Sequence, residues 1–211
     1  GTFSETVVVD NASGTPALTI VVGSDNRTAT FASGSGTTQL VFQYTIQATG
    51  TSGENDDNGI SIPANALALN SSTIRDPAGN DGTLTHSLVD NNSSYKVDAT
   101  EFIVNTFEMD DTDLKIGDNA TVTLVFSEVV ILFNSDDDIT ADNGTLSTMT
   151  SSDNITWIGY FTPTDDIEDD SNTLTLDNST NFYTDLAGNR GFDNQTANYE
   201  VDTREPTVSN V

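Results

Sequence analysis

The chain has 211 residues, enough for two domains with separate cores, and sets 33 acidic residues against 6 basic ones for a net charge of −27. Six cations cannot build the basic face that nucleic acid or an anionic membrane requires. The absence of cysteine removes disulfides, zinc–thiolate sites and thiol nucleophiles, and no apolar run approaches the ~18 residues of a transmembrane helix.

In chain order, the first recognisable string is Phe3-Ser4-Glu5, and the next signal is a turn, Asp76-Pro77-Ala78-Gly79-Asn80. His86, the sole histidine, sits in the strand-like Leu84–Leu88 and has no nucleophile motif around it, so it reads as a strand-surface residue. Tyr95-Lys96-Val97-Asp98 closes the first half. A second series then opens with a strand expected over Phe102–Phe107. In Ala120–Phe126, which follows, Val122, Leu124 and Phe126 alternate with polar neighbours. Asn143-Gly144 and Ser152-Asp153-Asn154 are turns. Thr156–Phe161, Thr173–Leu176 and Tyr199–Val201 are expected strands, with Trp157 a core anchor in phase with Phe161. No helical period is present, and short strands at this spacing predict an all-β sandwich.

Three strings recur in the same order, which marks a duplication. Phe3-Ser4-Glu5 returns as Phe126-Ser127-Glu128, Asp76–Asn80 as Asp185-Leu186-Ala187-Gly188-Asn189, and Tyr95–Asp98 as Tyr199-Glu200-Val201-Asp202. Two expected strands precede Phe126 in its series, whereas only Gly1 and Thr2 precede Phe3. Residues 1–99 therefore read as a repeat lacking its first two strands and 100–202 as a complete one. The segment Glu205–Val211 aligns with Glu101–Phe107. Residues 203–211 thus read as the first strand of a following repeat, or as a strand donated to another molecule through 207–211.

These strings resemble the bacterial and archaeal Ig-like tandem repeats of large cell-surface proteins, of the adhesin stalk, biofilm or S-layer type. Phe126–Glu128, Asp185–Asn189 and the closing Val201–Pro206 carry the resemblance, together with Gly14–Leu18, Ser33–Thr37, Leu40–Tyr44, Thr156-Trp157 and Phe161–Thr164. The chain departs from the pattern at Ala99–Phe102, where the junction proline is absent. The resemblance implies tandem immunoglobulin-like β-sandwich domains, an extracellular location and a non-enzymatic spacer or lattice role. The expected partners are neighbouring repeats or subunits of the same protein. The alternatives are an adhesive module that binds a glycan or protein directly, and a filament subunit assembling by strand exchange. The resemblance also implies rigidification by calcium.

Candidate oxygen ligands lie at the ends of the two series: Asp76, Asn80 and Asp98 with Asp111 or Asp113, and one repeat later Asp185, Asn189 and Asp202. Calcium takes six to eight such oxygens. The same residue types also form turns unaided, which is the competing reading. Further acidic clusters occur at Asp110–Asp118, Asp136–Asp142, Asp165–Asp170 and Glu54–Asp57, none with EF-hand spacing. Ten sequons, at Asn11, Asn26, Asn70, Asn91, Asn92, Asn119, Asn143, Asn154, Asn178 and Asn194, are roughly twice the number composition supplies and predict a glycoprotein. For carbohydrate binding, the aromatic candidates are Tyr160, Phe182-Tyr183 and Phe192, set against the reading that they pack locally.

Overall fold

The computed structural model describes residues 1–48, 53–178 and 182–209. The chain divides into two compact units, Gly1–Thr100 and Glu101–Val211.

Unit 1 contains β1 (Thr2–Asp10), β2 (Ala17–Val22), β3 (Asp25–Ser33), β4 (Thr37–Gln39), β5 (Val41–Gln43), β6 (Asn55–Asp56), β7 (Leu67–Ala68), β8 (Thr73–Arg75) and β9 (Val97–Asp98). They form sheets in the orders β5-β3-β2-β7, β4-β1-β8 and β6-β9. The β-branched run of β2 favours a pleated surface, and Gly23, at φ 63°, supplies the backbone that a tight turn into β3 needs. Asp56 fixes that turn by accepting from the Gly23 N–H at 2.9 Å. Two small groups of buried side chains hold the unit together: Ile20, Val22, Ala29 and Val97, and separately Val7, Leu40 and Ile74.

Unit 2 contains β10 (Val104–Met109), β11 (Asp113–Lys115), β12 (Ala120–Phe126), β13 (Val130–Ile131), α1 (Ser135–Asp138), β14 (Ile139–Ala141), β15 (Gly144–Leu146) and β16 (Thr156–Pro163). It continues with β17 (Glu168–Asn172), β18 (Leu174–Leu176), β19 (Thr184–Asp185), β20 (Asn194–Gln195) and β21 (Tyr199–Asp202). One sheet runs β10-β12-β16-β15; β11-β21-β17 and β14-β18-β20 face it, and β13 pairs with β19. Between them lies one continuous core, with Val122, Leu124, Phe126 and Phe161 on one side and Leu174, Leu176, Tyr199 and Val201 on the other. The period-2 alternation of β12 is the cause: every second residue is buried from Ala120 to Phe126. Nearly all regular structure is strand, as expected of an all-β chain.

Trp157 packs against the core as expected of an anchor, and two other local expectations are corrected. Trp157 is half-buried; it packs edge-on against Phe133 at 4.8 Å, and its indole N–H has no partner. Asp136–Asp138, in a chain where no helical period was expected, belongs to one helical turn capped by Asn134, and Asp138 is buried. His86 lies outside any strand and bridges two backbone groups: its Nε2 accepts from Ala66 N at 2.9 Å, and its Nδ1 lies 2.8 Å from the Ser87 carbonyl, to which it donates.

Candidate functional site

The duplicated strings form two devices, the first of them built alike in both units. The first is the turn. Asp76 accepts from Asn80 N at 2.8 Å and Asn80 Nδ2 at 2.7 Å, and its own N–H donates to the Asn80 carbonyl at 3.0 Å. Asp185 does the same with Asn189, at 2.9, 2.8 and 3.1 Å. Gly79 and Gly188 take φ of 96° and 93°, a conformation that strains any other residue. The Asn80 side-chain amide, and then its backbone N–H, hold the Asp76 carboxyl below the usual range.

The turn presents the strand before it in a fixed register. Val8, the fifth residue after Phe3, pairs with Arg75, the residue before the turn. Ile131, the fifth after Phe126, pairs with Thr184, the residue before its turn. The two pairs are equivalent, so the duplication extends to strand register.

The second device is a strand clamp at Phe-Ser-Glu. In unit 2, Ser127 N donates to the Ile103 carbonyl at 2.8 Å, and Ser127 Oγ accepts from Ile103 N at 3.0 Å. The next pair along is Val104 with Phe126. The Phe102 ring then turns inward against Phe126 (5.6 Å) and Tyr183 (5.9 Å). Gly191 makes room for it, since a Cβ there would lie 2.4 Å from Phe102 Cε2. In unit 1 the β4 side of the clamp is intact: Thr2 pairs with Gln39 as Val125 pairs with Thr156. On the opposite side, among the described residues, no strand pairs with Phe3–Thr6. A cleft of about 570 Å³ lies there, lined by Phe3, Val7, Leu18, Phe42, Leu67 and Leu84. Gly82, the equivalent of Gly191, also lines it.

The remaining metal candidates are bound into local turns. Asp98 accepts from Thr100 N and Oγ1 at 3.2 and 2.7 Å. Asp111 accepts from Asp113 N at 3.1 Å, and Asp202 from Arg204 N at 3.3 Å. Within unit 2, Asp113 and Asp202 lie on one ladder, where β11 runs parallel to β21. Within unit 1, Asp76 and Asn80 share a turn. The other acidic clusters are used in the same way. Asp56 accepts three backbone N–H groups, from Gly23, Asn58 and Gly59. Buried Glu54 accepts from Arg27, Tyr44 and Gln47 N. Asp138 differs, because its Oδ1 is buried without a partner, and burial raises its pKa.

Of the sequon asparagines, Asn11, Asn26, Asn70, Asn91, Asn92, Asn119, Asn154 and Asn194 are exposed. Asn143 is half-buried and donates to Asp169 and Asn172. Asn178 is 6 % exposed and donates to the carbonyls of Tyr183 and Gly191, so a glycan there would open both bonds. Ser179 and Thr180 of its sequon, and Asn210-Val211 of the last expected strand, lie outside the described residues. The aromatic platform is not assembled as expected. Tyr183 is fully buried, whereas Tyr160, Phe192 and Phe182, whose ring lies under Arg190, are exposed.

Sequence reasoning found both strings but missed the glycines two residues past each turn. The signal was present, since Asp76–Gly82 and Asp185–Gly191 agree at their last residue as well.

Two layers of short strands around one core define unit 2 as an immunoglobulin-like β-sandwich module. Residues 100–201 match the family model of the bacterial Ig-like domain. No curated protein and no solved structure matches the chain. Domains of this family are typically non-enzymatic and commonly extracellular. Among the described residues, no helix is long and apolar enough to cross a membrane.

Proposed function

We propose that the chain is a structural spacer or lattice module of an extracellular surface protein, of the adhesin-stalk or S-layer kind. The observation that carries this reading is where the polar side chains go. Carboxylates accept from backbone N–H groups and so brace the loops between strands, as Asp56, Asp76 and Asp185 do. Such a surface holds its shape. Antibodies against unit 2 should label intact source cells; labelling that requires lysis would overturn the assignment.

Cations belong to the same proposal. A net charge of −27 on 211 residues repels itself, and calcium held by oxygens of the Asp76, Asn80, Asp98 and Asp185, Asn189, Asp202 sets would relieve that repulsion. The melting temperature should fall when chelator replaces calcium at matched ionic strength, and an unchanged value would leave screening by salt alone. Glycans at exposed sequons such as Asn154 complete the reading, and peptide mapping of native material tests them. An adhesive role is the second reading, favoured by Ile158 and Tyr160, which stand exposed on one face of β16. Retention on a glycan array would support it.

A further inference from the structure

The chain has 33 acidic residues, yet the four strands of sheet β10-β12-β16-β15 hold a single charged one, Glu108. Because Val122, Leu124 and Phe161 turn inward, their neighbours turn outward. On that outer face Thr121, Thr123 and Val125 of β12 stand opposite Tyr160, Ile158 and Thr156 of β16. Tyr160 is 59 % exposed and Ile158 43 %, so water meets an aromatic ring and a branched chain on one hydroxyl-rich surface.

A sequon borders this face. Asn119 is exposed and immediately precedes β12, and its Oδ1 accepts from Thr162 Oγ1 at 2.6 Å. That bond holds the side chain across from Thr162, which lies two residues along β16 from Tyr160 and on the same side. Thr121, the third residue of the sequon, pairs with Tyr160 itself. Asn119 and Tyr160 are therefore diagonal neighbours across the ladder, about 7–8 Å apart. The bond to Thr162 uses the amide oxygen and not Nδ2, the atom that a sugar joins. Asn70, Asn143 and Asn178 contrast with it, since each donates through Nδ2 to another group.

We propose that Asn119 carries an N-linked glycan whose first sugar, an uncharged one, lies back over Tyr160 and Ile158 and covers this face. This rests on the glycoprotein reading above, and it gives the face a use that competes with adhesion. The apolar C–H side of a pyranose packs on the Tyr160 ring, while its hydroxyls meet those of Thr121 and Thr123. An uncharged sugar meets no repulsion from Glu108 and adds none to a net charge of −27. In the joining step a transferase supplies a sugar held on a phosphate or pyrophosphate carrier. The bond from Nδ2 to the sugar C1 forms, the C1–O bond breaks, the phosphate leaves with its electron pair, and one amide proton passes to solvent. Oδ1 keeps its bond to Thr162 throughout.

Glycopeptide mass spectrometry of native protein from the source cells should find Asn119 occupied, with an uncharged first sugar. In nuclear magnetic resonance spectra the ring protons of that sugar should move upfield, as they do over an aromatic face. Tyr160→Ser, made in the same cells, should abolish that shift and lower the melting temperature of glycosylated unit 2 by about 4 °C. Tyr160→Phe should keep both. In Asn119→Gln, which bears no sugar, Tyr160→Ser should move the melting temperature by no more than about 1 °C. A bare Asn119 beside occupied sequons elsewhere would overturn the proposal and leave the glycoprotein reading standing, whereas bare sequons throughout would end both. An occupied Asn119 whose proton shifts and melting temperature are indifferent to Tyr160→Ser would also overturn it. So would native protein retained on a neutral polysaccharide through Tyr160, because a free glycan would then hold the face.

Discussion

The two units carry the same strings, yet their interiors differ. Unit 2 has one continuous core, whereas unit 1 has two small clusters, one around Ile20 and one around Val7. What joins the halves in unit 2 is the run from Phe102 to Leu124, which places Phe102, Phe107, Leu114, Ala120, Val122 and Leu124 in that core. Its last member shows the difference directly. Leu124 pairs with Trp157 and is fully buried, while Gly1, bonded in the same way to Leu40, has no side chain to offer. In unit 2 the opening strands therefore join the two layers, and the turn and clamp fix where those strands go.

The largest expected effect comes from Phe126→Ala against Phe3→Ala. Removing the buried Phe126 ring should cost unit 2 about 3–5 kcal/mol. Half-buried Phe3, facing the cleft, should cost unit 1 no more than about 2 kcal/mol. Urea unfolding resolved into two transitions reads both; equal losses would mean that the cores do not differ in continuity. The turns give a second contrast. Asp185 is fully buried, and Asp185→Ala leaves the part-buried N–H groups of Ala187 and Asn189 without their acceptor, at a cost of about 2 kcal/mol. Asp76→Ala, in a more exposed turn, should lower stability by visibly less. The least effect should come from Arg204→Ala, which removes exposed pairs to Asp166 and Glu168, and unit 2 should shift by less than about 0.5 kcal/mol.

Acid should also separate the units. The Asp76 carboxyl is depressed by Asn80, so its contribution to unit 1 is present above the unfolded value and is lost as pH falls through the folded one. Asp138 in unit 2 has the opposite sign. Burial first, then the charges of Asp137 and Asp177, raise it, so the native state gains stability as pH falls from the folded toward the unfolded value. Asp138→Asn keeps an oxygen for Asn134 N, which donates to Asp138 at 2.7 Å. It should stabilise unit 2 near neutral pH and lose that advantage in acid. A melting temperature that Asp138→Asn leaves unchanged at both pH values would show that the buried oxygen carries no cost.

Period 2 made β12 legible to the residue, because each apolar position of Ala120–Phe126 really faces the core. The same rule put Trp157 on the core side, where it packs half-buried. The phase of β16 is right from Gly159 onward, but the strand's first residues are only half-covered, and its indole packs on Phe133. α1 gave no signal because a four-residue helix has no period to read; its cue was the cap, Asn134 before three acids. Sequons report an acceptor sequence and say nothing of burial, which is how Asn178, a core amide, fell among them. The strings that mark the duplication were visible, but their purpose was not. A clamp is recognised only when the strand it holds, Ile103, is seen beside it.

The parallel ladder between β11 and β21 has a mechanical consequence. These strands lie near opposite ends of unit 2 in sequence but side by side in space, with Asp113, Leu114 and Lys115 matched to Glu200, Val201 and Asp202. Tension applied through the unit's two ends would drag them past each other along their length. The bonds of the ladder, with that from Glu200 N to the Thr112 carbonyl beside them, would then be loaded together instead of one at a time. Unit 1 ends on β9, whose partner β6 lies within the unit and runs antiparallel. Pulled as a whole, the chain should part in two steps, unit 1 yielding at low force and unit 2 only at a markedly higher one.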